Sequence, residues 1–186
     1  MDYRIDNTDR VRTAFERNAR ALAKRPSIGR GTAVTTVRVT DGLTCEIEEG
    51  RWRFPCDMSE KHGGTEAGPN PGTLGRGALG ACLAMNYARW AAHFGVPLTA
   101  LTVEVEADYD AGGEYGTSDV RPGYEAIRTV VTIESEASEA EVCRLLDTAD
   151  QYTAFLDLFR NGTSVTREVW ICQPQTARLD TKEVAR

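Results

Sequence analysis

Between Thr73 and His93 the chain leaves almost no polar stripe for water. Leu74, Ala78, Leu79, Ala81, Leu83, Ala84, Met85, Tyr87, Ala88, Trp90 and Ala91 spread round the full helical circumference. A helix that is apolar on every side cannot lie on a surface and must be buried by other layers. The spacing therefore predicts a helix over residues 73–93, covered by sheets or by a second subunit, and stopped by Gly95 and Pro97. Small residues at 75, 77, 78, 80 and 81 allow another backbone to approach it closely. A single thiol, Cys82, sits near its middle, behind the tight-turning segment Gly63-Gly-Thr-Glu-Ala-Gly-Pro-Asn-Pro71. Where a fold holds a thiol decides its nucleophilicity and oxidisability.

The flanking segments switch period. Val11, Phe15, Asn18, Ala19 and Leu22 share one face of a predicted first helix that Pro26 and Gly29 end. Its arginines suit a solvated outer face on a docking helix better than a membrane-binding one. Val34–Val39, Leu43–Ile47 and Trp52–Cys56 alternate at period two, with Asp41-Gly42 as a hairpin turn, and predict an antiparallel meander. Residues 101–109 alternate again, with Leu101, Val103, Val105 and Ala107 inward, and 127–135 form a further strand. The glycine-rich excursion at 110–123 reads as a surface loop, with a lid as the alternative. Ser138-Glu-Ala-Glu141 is a capping-box start for a helix expected to reach Phe159, ahead of a last strand at Thr166–Cys172. Helix, three strands, helix, two strands, helix, strand is an α+β order without βαβ alternation. The expected organisation is an N-terminal helix at 1–27, one domain at 28–175 and a flexible tail at 176–186.

Composition narrows the function classes. A formal charge of −6 argues against a general nucleic-acid binder, which needs a basic face. Nothing approaches the ~18 consecutive apolar residues of a membrane span. The N-terminus has no apolar signal core, and five cysteines without a CxxC pair do not resemble a secreted disulfide framework. The expectation is a soluble, reduced, cytoplasmic protein.

Gly63-Gly64, Gly68-Pro-Asn-Pro71, Leu79-Gly-Ala-Cys82 and Val103-Glu-Val-Glu-Ala-Asp-Tyr-Asp110, in this order and spacing, resemble the OsmC/Ohr superfamily. Arg121-Pro-Gly-Tyr-Glu-Ala-Ile-Arg128 and Ala149-Asp150 match an OsmC-like branch of it, and the resemblance covers roughly Pro26 to Cys172. It implies two sheets wrapped around long central helices in an intertwined homodimer, with a cysteine site near the subunit interface. Active members of the superfamily are thiol-dependent organic hydroperoxide reductases. One cysteine attacks the peroxide, a second captures the sulfenic acid, and a lipoylated protein or other thiol reduces the disulfide; no bound cofactor is implied. An arginine lowers the thiol pKa, a glutamate orients the arginine, and the second thiol prevents over-oxidation.

The resemblance puts Cys82 at the attacking position. It puts Gly72 at the glutamate and Thr153 at the second cysteine. The arginine position falls on Thr40, with Arg38 two residues away. Arg89 shares the Cys82 face at i+7, whereas Arg76 lies off it, so Arg38, Arg89 and Thr153 are the possible supporting residues. Cys143 precedes Thr153 by ten residues, ~15 Å of axial rise and about 1000° of rotation, so it points elsewhere. Cys45, Cys56 and Cys172 read as small core residues. His62 and His93 stand in no metal-ligand spacing, and no metal is expected. Two functions follow as expectations. One is a one-cysteine hydroperoxide reductase acting through Cys82 with an external thiol. The other is a non-catalytic OsmC-fold dimer that binds an apolar small molecule at the subunit interface.

Overall fold

The structure is a computed structural model that describes Ile5 and residues 8–172. It consists of α1 (Thr8–Lys24), a meander of β1 (Thr36–Asp41), β2 (Thr44–Glu49) and β3 (Trp52–Cys56), then α2 (Pro71–Phe94). After these come β4 (Ala100–Asp108), the short α3 (Ala111–Glu114), β5 (Ala126–Glu134), α4 (Glu139–Gln151) and α5 (Ala154–Arg160). The strands form two separate antiparallel sheets, β1-β2-β3 and β4-β5.

Helix α2 organises one half of the molecule. Asn70 caps its first turn by accepting from the Thr73 amide at 2.8 Å, with Pro71 following. A short polar cap and a proline with preset φ are how a helix starts without orphaned donors. Gly95, at φ 72°, closes it in the left-handed region that only glycine adopts freely. Leu79, Leu83 and Tyr87 of α2 pack with Ala149 of α4, against Leu101, Val103 and Val105 of β4, Ile127 and Val131 of β5, and Leu156 of α5. Leu79 and Leu83 are almost fully buried; burying one such side chain contributes about 1.5–3 kcal/mol. At Gly80 an added Cβ would come within 3.2 Å of Val105, so the small residue lets β4 lie close to the helix. On the other side α1 docks through Phe15, whose ring meets Trp90 edge-on at 5.2 Å. The first helix is therefore a packed element.

The β4–β5 sheet shows the expected alternation, with Leu101, Val103, Val105 and Ala107 turned toward α2. Arg128 locks its register, donating from Nε to Glu106 at 3.0 Å and from Nη2 to Asp108 at 3.0 Å. Both carboxylates belong to the segment 103–110, and Arg128 closes 121–128, so the two stretches are halves of one strand pair. The guanidinium holds the Asp108 carboxyl below its ordinary value.

Three expectations are corrected. The helix predicted to run to Phe159 breaks at Tyr152-Thr153, where Thr153 is extended and starts α5. The strand expected at 166–172 does not form: no strand lies beside this stretch, and Val165, Trp170 and Ile171 stand 82–90% exposed. Cys172 is accordingly exposed and is no core residue. The described residues cover α2 only in part. Gly77, Ala81, Met85 and Arg89, each four residues apart, form an open stripe along it. The expected tail at 176–186 lies outside the described residues. No described helix is long and apolar enough to cross a membrane.

Candidate functional site

The approach to α2 is built around Asp57, 2% exposed at the end of β3. Its carboxylate accepts from the Thr65 amide at 2.9 Å, the Thr65 hydroxyl at 2.7 Å, the Ala67 amide at 3.2 Å, the Met58 amide at 2.8 Å and the Thr44 hydroxyl at 3.1 Å. The Thr65 hydroxyl, aided by the backbone amides, holds the Asp57 carboxyl well below the usual range. A carboxylate with five donors fixes the turn that delivers Gly68-Pro-Asn-Pro71 to the helix. Gly68 is needed there because a Cβ would fall 2.5 Å from the Pro55 carbonyl oxygen.

At the first turn of α2, Gly72 stands where a side chain would meet two polar groups. A Cβ on Gly72 would sit 3.2 Å from Arg76 Nη1 and 3.3 Å from the Tyr124 hydroxyl oxygen. Tyr124 donates to the Gly72 carbonyl at 3.2 Å and accepts from Arg76 Nη1 at 3.0 Å. Arg76 is thus held by a phenol, and a larger residue at 72 would press on both groups. Among the described residues no carboxylate pairs with Arg76. These residues line a cleft of about 630 Å³ whose other walls come from Met58–His62 and from Ala111, Glu114 and Tyr115 of the excursion. The excursion is therefore a cleft wall. Cys82 is not among the lining residues.

Cys82 lies ten residues further along, half-buried beside the open stripe of α2. One turn on, Asn86 is buried and donates from Nδ2 to the Ala149 carbonyl at 2.7 Å and to the Thr153 hydroxyl at 2.8 Å. Thr153, itself 2% exposed, donates back to the Ala149 carbonyl at 2.8 Å. A threonine hydroxyl that bonds the carbonyl four residues earlier bends or ends a helix, which accounts for the break between α4 and α5. Beside it the buried Tyr87 donates to Asp150 at 2.7 Å, and burial together with that carboxylate pushes the phenol's pKa up. The Ala149-Asp150 pair thus fastens α4 to α2.

The remaining candidates are dispersed. Arg38 lies on β1 and pairs with Glu48 of β2 at 2.9 Å, and Arg53 of β3 meets the same carboxylate at 3.2 Å. Arg89 is exposed on α2 at the Cys82 face. Cys143 is exposed on α4. The structure brings Thr153 to the Cys82 face through Asn86 and leaves Arg38 on the separate sheet. Asn86 and Tyr124 were legible only in part. A lone amide in an apolar helix signals a buried bond, while nothing local to Tyr124 announces that it fills the space left by Gly72. Among the described residues no group of three or more His, Cys, Asp or Glu side chains is arranged to hold a metal.

Comparison with known proteins places this architecture. The fold is similar to an OsmC-like protein from Mycoplasma pneumoniae, with TM-score 0.62 and 17% identity over 71% of this chain and 89% of that one. It is similar to an organic hydroperoxide resistance protein OsmC from Legionella pneumophila, with TM-score 0.54 and 16% identity over 70% and 90% of the two chains. A hypothetical protein from Aquifex aeolicus gives TM-score 0.57 and 12% identity over 72% and 91%. At these identities the likeness is one of fold. No curated protein matches the chain. The OsmC family model, described as OsmC-like protein, matches residues 63–168, more than half of the 186 residues. The chain belongs to the OsmC family, within the OsmC/Ohr superfamily.

Proposed function

We propose that this protein is a thiol-dependent reductase of organic hydroperoxides that uses Cys82 alone and works as a homodimer. The observation that carries the reading is the accessibility of Cys82 beside the stripe Gly77, Ala81, Met85 and Arg89, at the family's attacking position. The Cys82 thiolate attacks the peroxide O–O bond, releases the alcohol and becomes a sulfenic acid. With no thiol at position 153, an external thiol condenses with it and expels water. A second external thiol frees Cys82 as a disulfide of the two reductants leaves. Arg89, two turns along the same face of α2, is the cation that would meet the peroxide there.

The homodimer is supported by surface left open in one chain. Strand register puts Val37, Ile47 and Phe54 on one face of the β1–β3 sheet, with Val39, Cys45 and Cys56 beside them. Val37, Val39 and Phe54 are exposed, as are Trp170 and Ile171 near the end of the described chain. Clustered exposed apolar side chains on one sheet face suit an interaction site. A second copy would cover it together with the α2 stripe.

A second reading is favoured by the Asn86–Thr153 pair and by Gly72. Hydrogen bonds seal one family catalytic position and a phenol fills another, as suits a non-catalytic dimer that holds an apolar ligand at its interface. Trapping separates the two. Protein treated with one equivalent of cumene hydroperoxide and then dimedone should carry the adduct on Cys82, and less of it in Arg89→Gln. Cys82 recovered unmodified from folded, reduced protein would leave the binding reading.

A further inference from the structure

Cys45 and Cys56 belong to different strands but face each other. In the β2–β3 ladder they are direct partners, Cys45 against Cys56, so both thiols project from the same face of the sheet. Directly opposed residues of an antiparallel pair have Cα atoms ~4.5 or ~5.5 Å apart. A disulfide takes Cα separations of about 4.4–6.8 Å, so either spacing lets the two sulfurs meet without a shift of register. The next rung is clamped: Thr44 precedes Cys45, Asp57 follows Cys56, and the Thr44 hydroxyl donates to the Asp57 carboxylate at 3.1 Å. That carboxylate is fixed in turn by Thr65, Ala67 and Met58, so the strands are held together beside the cysteines.

The two sulfurs are not equivalent. Cys45 is half-buried and Cys56 is 6% exposed, followed directly by the buried Asp57. Burial, with Cys45 and Asp57 close by, pushes the Cys56 thiol up, and Cys45, the less buried sulfur, is the one that a small oxidant reaches first, in the single chain or along the interface of the proposed dimer. Neither cysteine occupies a position that the family pattern uses.

We propose that Cys45 and Cys56 are a second redox-active site, a cross-strand dithiol that a small apolar hydroperoxide oxidises to a disulfide. The Cys45 thiolate attacks the O–O bond; the hydroperoxide leaves as its alcohol after taking up a proton, and Cys45 becomes a sulfenic acid. The Cys56 sulfur then attacks the Cys45 sulfur, the S–O bond breaks, and the thiol proton leaves with the hydroxyl group as water. In sum two thiols and one hydroperoxide give one disulfide, one alcohol and one water, and a dithiol reductant reverses the change. This site does not rest on Cys82, whose chemistry it leaves untouched.

The test uses the full chain in a Cys82→Ser background, which removes the thiol of the proposed peroxidase reaction and leaves four of the five cysteines. Cumene hydroperoxide is added, and free thiols are alkylated under denaturing conditions. The expected count falls from four to two and returns to four after dithiothreitol. Trypsin cuts at Arg51 and Arg53, between the two cysteines, so mass spectrometry should find their separate peptides joined and lighter by two hydrogens. Adding Cys56→Ser should abolish the joined peptide and leave a dimedone-reactive Cys45. The proposal is overturned if both cysteines stay fully alkylatable. It is equally overturned if they pass to sulfinic acids unlinked, or if either is found joined to Cys143, Cys172 or a second copy of itself.

Discussion

The body around α2 and the β1–β3 sheet satisfy themselves in opposite ways. In the body every layer has a partner: α1 on one side of α2, β4–β5 on another, α4 and α5 on a third. The sheet has one polar face, where Glu48 joins Arg38 and Arg53, and one apolar face on which Val37, Val39 and Phe54 stay exposed while Cys56 is buried. The buried side chains therefore lie mostly in the body, and the sheet keeps exposed apolar surface. Within the body the contrast repeats along α2. Its first turn opens on a cleft of mixed polar and apolar lining, and the turn after Cys82 is sealed by Asn86 and Thr153.

Substitutions should reveal that division in graded steps. Leu83→Ala removes a nearly fully buried side chain from the body and should lower unfolding free energy by about 2–5 kcal/mol in a urea titration. Thr153→Val keeps the volume but leaves Asn86 Nδ2 short of a partner, for a loss of about 1–3 kcal/mol. Thr153→Ser, which keeps the hydroxyl, should lose less; equal losses in both would show that the hydroxyl does not hold the joint.

Asp57 bears on the boundary between the two regions. Its carboxyl is held down in the folded state by Thr65 and three backbone amides, so its contribution is full above the unfolded value, ~3.9, and fades as pH falls through the lower folded one. Unfolding followed from pH 6 down to pH 2 should show stability declining on the acid side, and Asp57→Asn should flatten that limb. An unchanged limb would remove Asp57 from the account. The smallest effect is expected on the sheet. Trp52→Thr should shift the unfolding of dilute protein by no more than ~0.5 kcal/mol, while sedimentation velocity shows a larger monomer fraction. A large loss of stability at every concentration would mean that the sheet is part of the chain's own core.

The same contrast explains what the sequence could disclose. Both ends of α2, the Ser138 capping box and the β4 alternation are local properties, and each stands within a few residues of its expected place. At the break the Thr153 hydroxyl bonds the Ala149 carbonyl, and Asn86, 67 residues away in the chain from Thr153, bonds both groups, so the local pattern is only half of the joint. Residues 166–172 have strand composition but no neighbouring strand, and a strand exists only through its partner. The helix pattern of α2 leaves no polar stripe, yet the described residues cover it only in part, because periodicity does not say what supplies the cover. At the candidate site the motif before Cys82 draws attention to it, and the structure leaves it half-buried beside the open stripe. The bonds of the Tyr124 hydroxyl to the Gly72 carbonyl and to Arg76 join residues about fifty positions apart, and no local pattern carries them.

The central claim is that Cys82 reduces hydroperoxides without a second thiol at position 153. Turnover of cumene hydroperoxide by wild type and Cys82→Ser, with dithiothreitol or reduced lipoamide as the electron source, tests it most directly. The account predicts turnover in wild type, retained in Thr153→Ser and lost in Cys82→Ser. No turnover by folded, fully reduced wild type, or equal rates in wild type and Cys82→Ser, would contradict it.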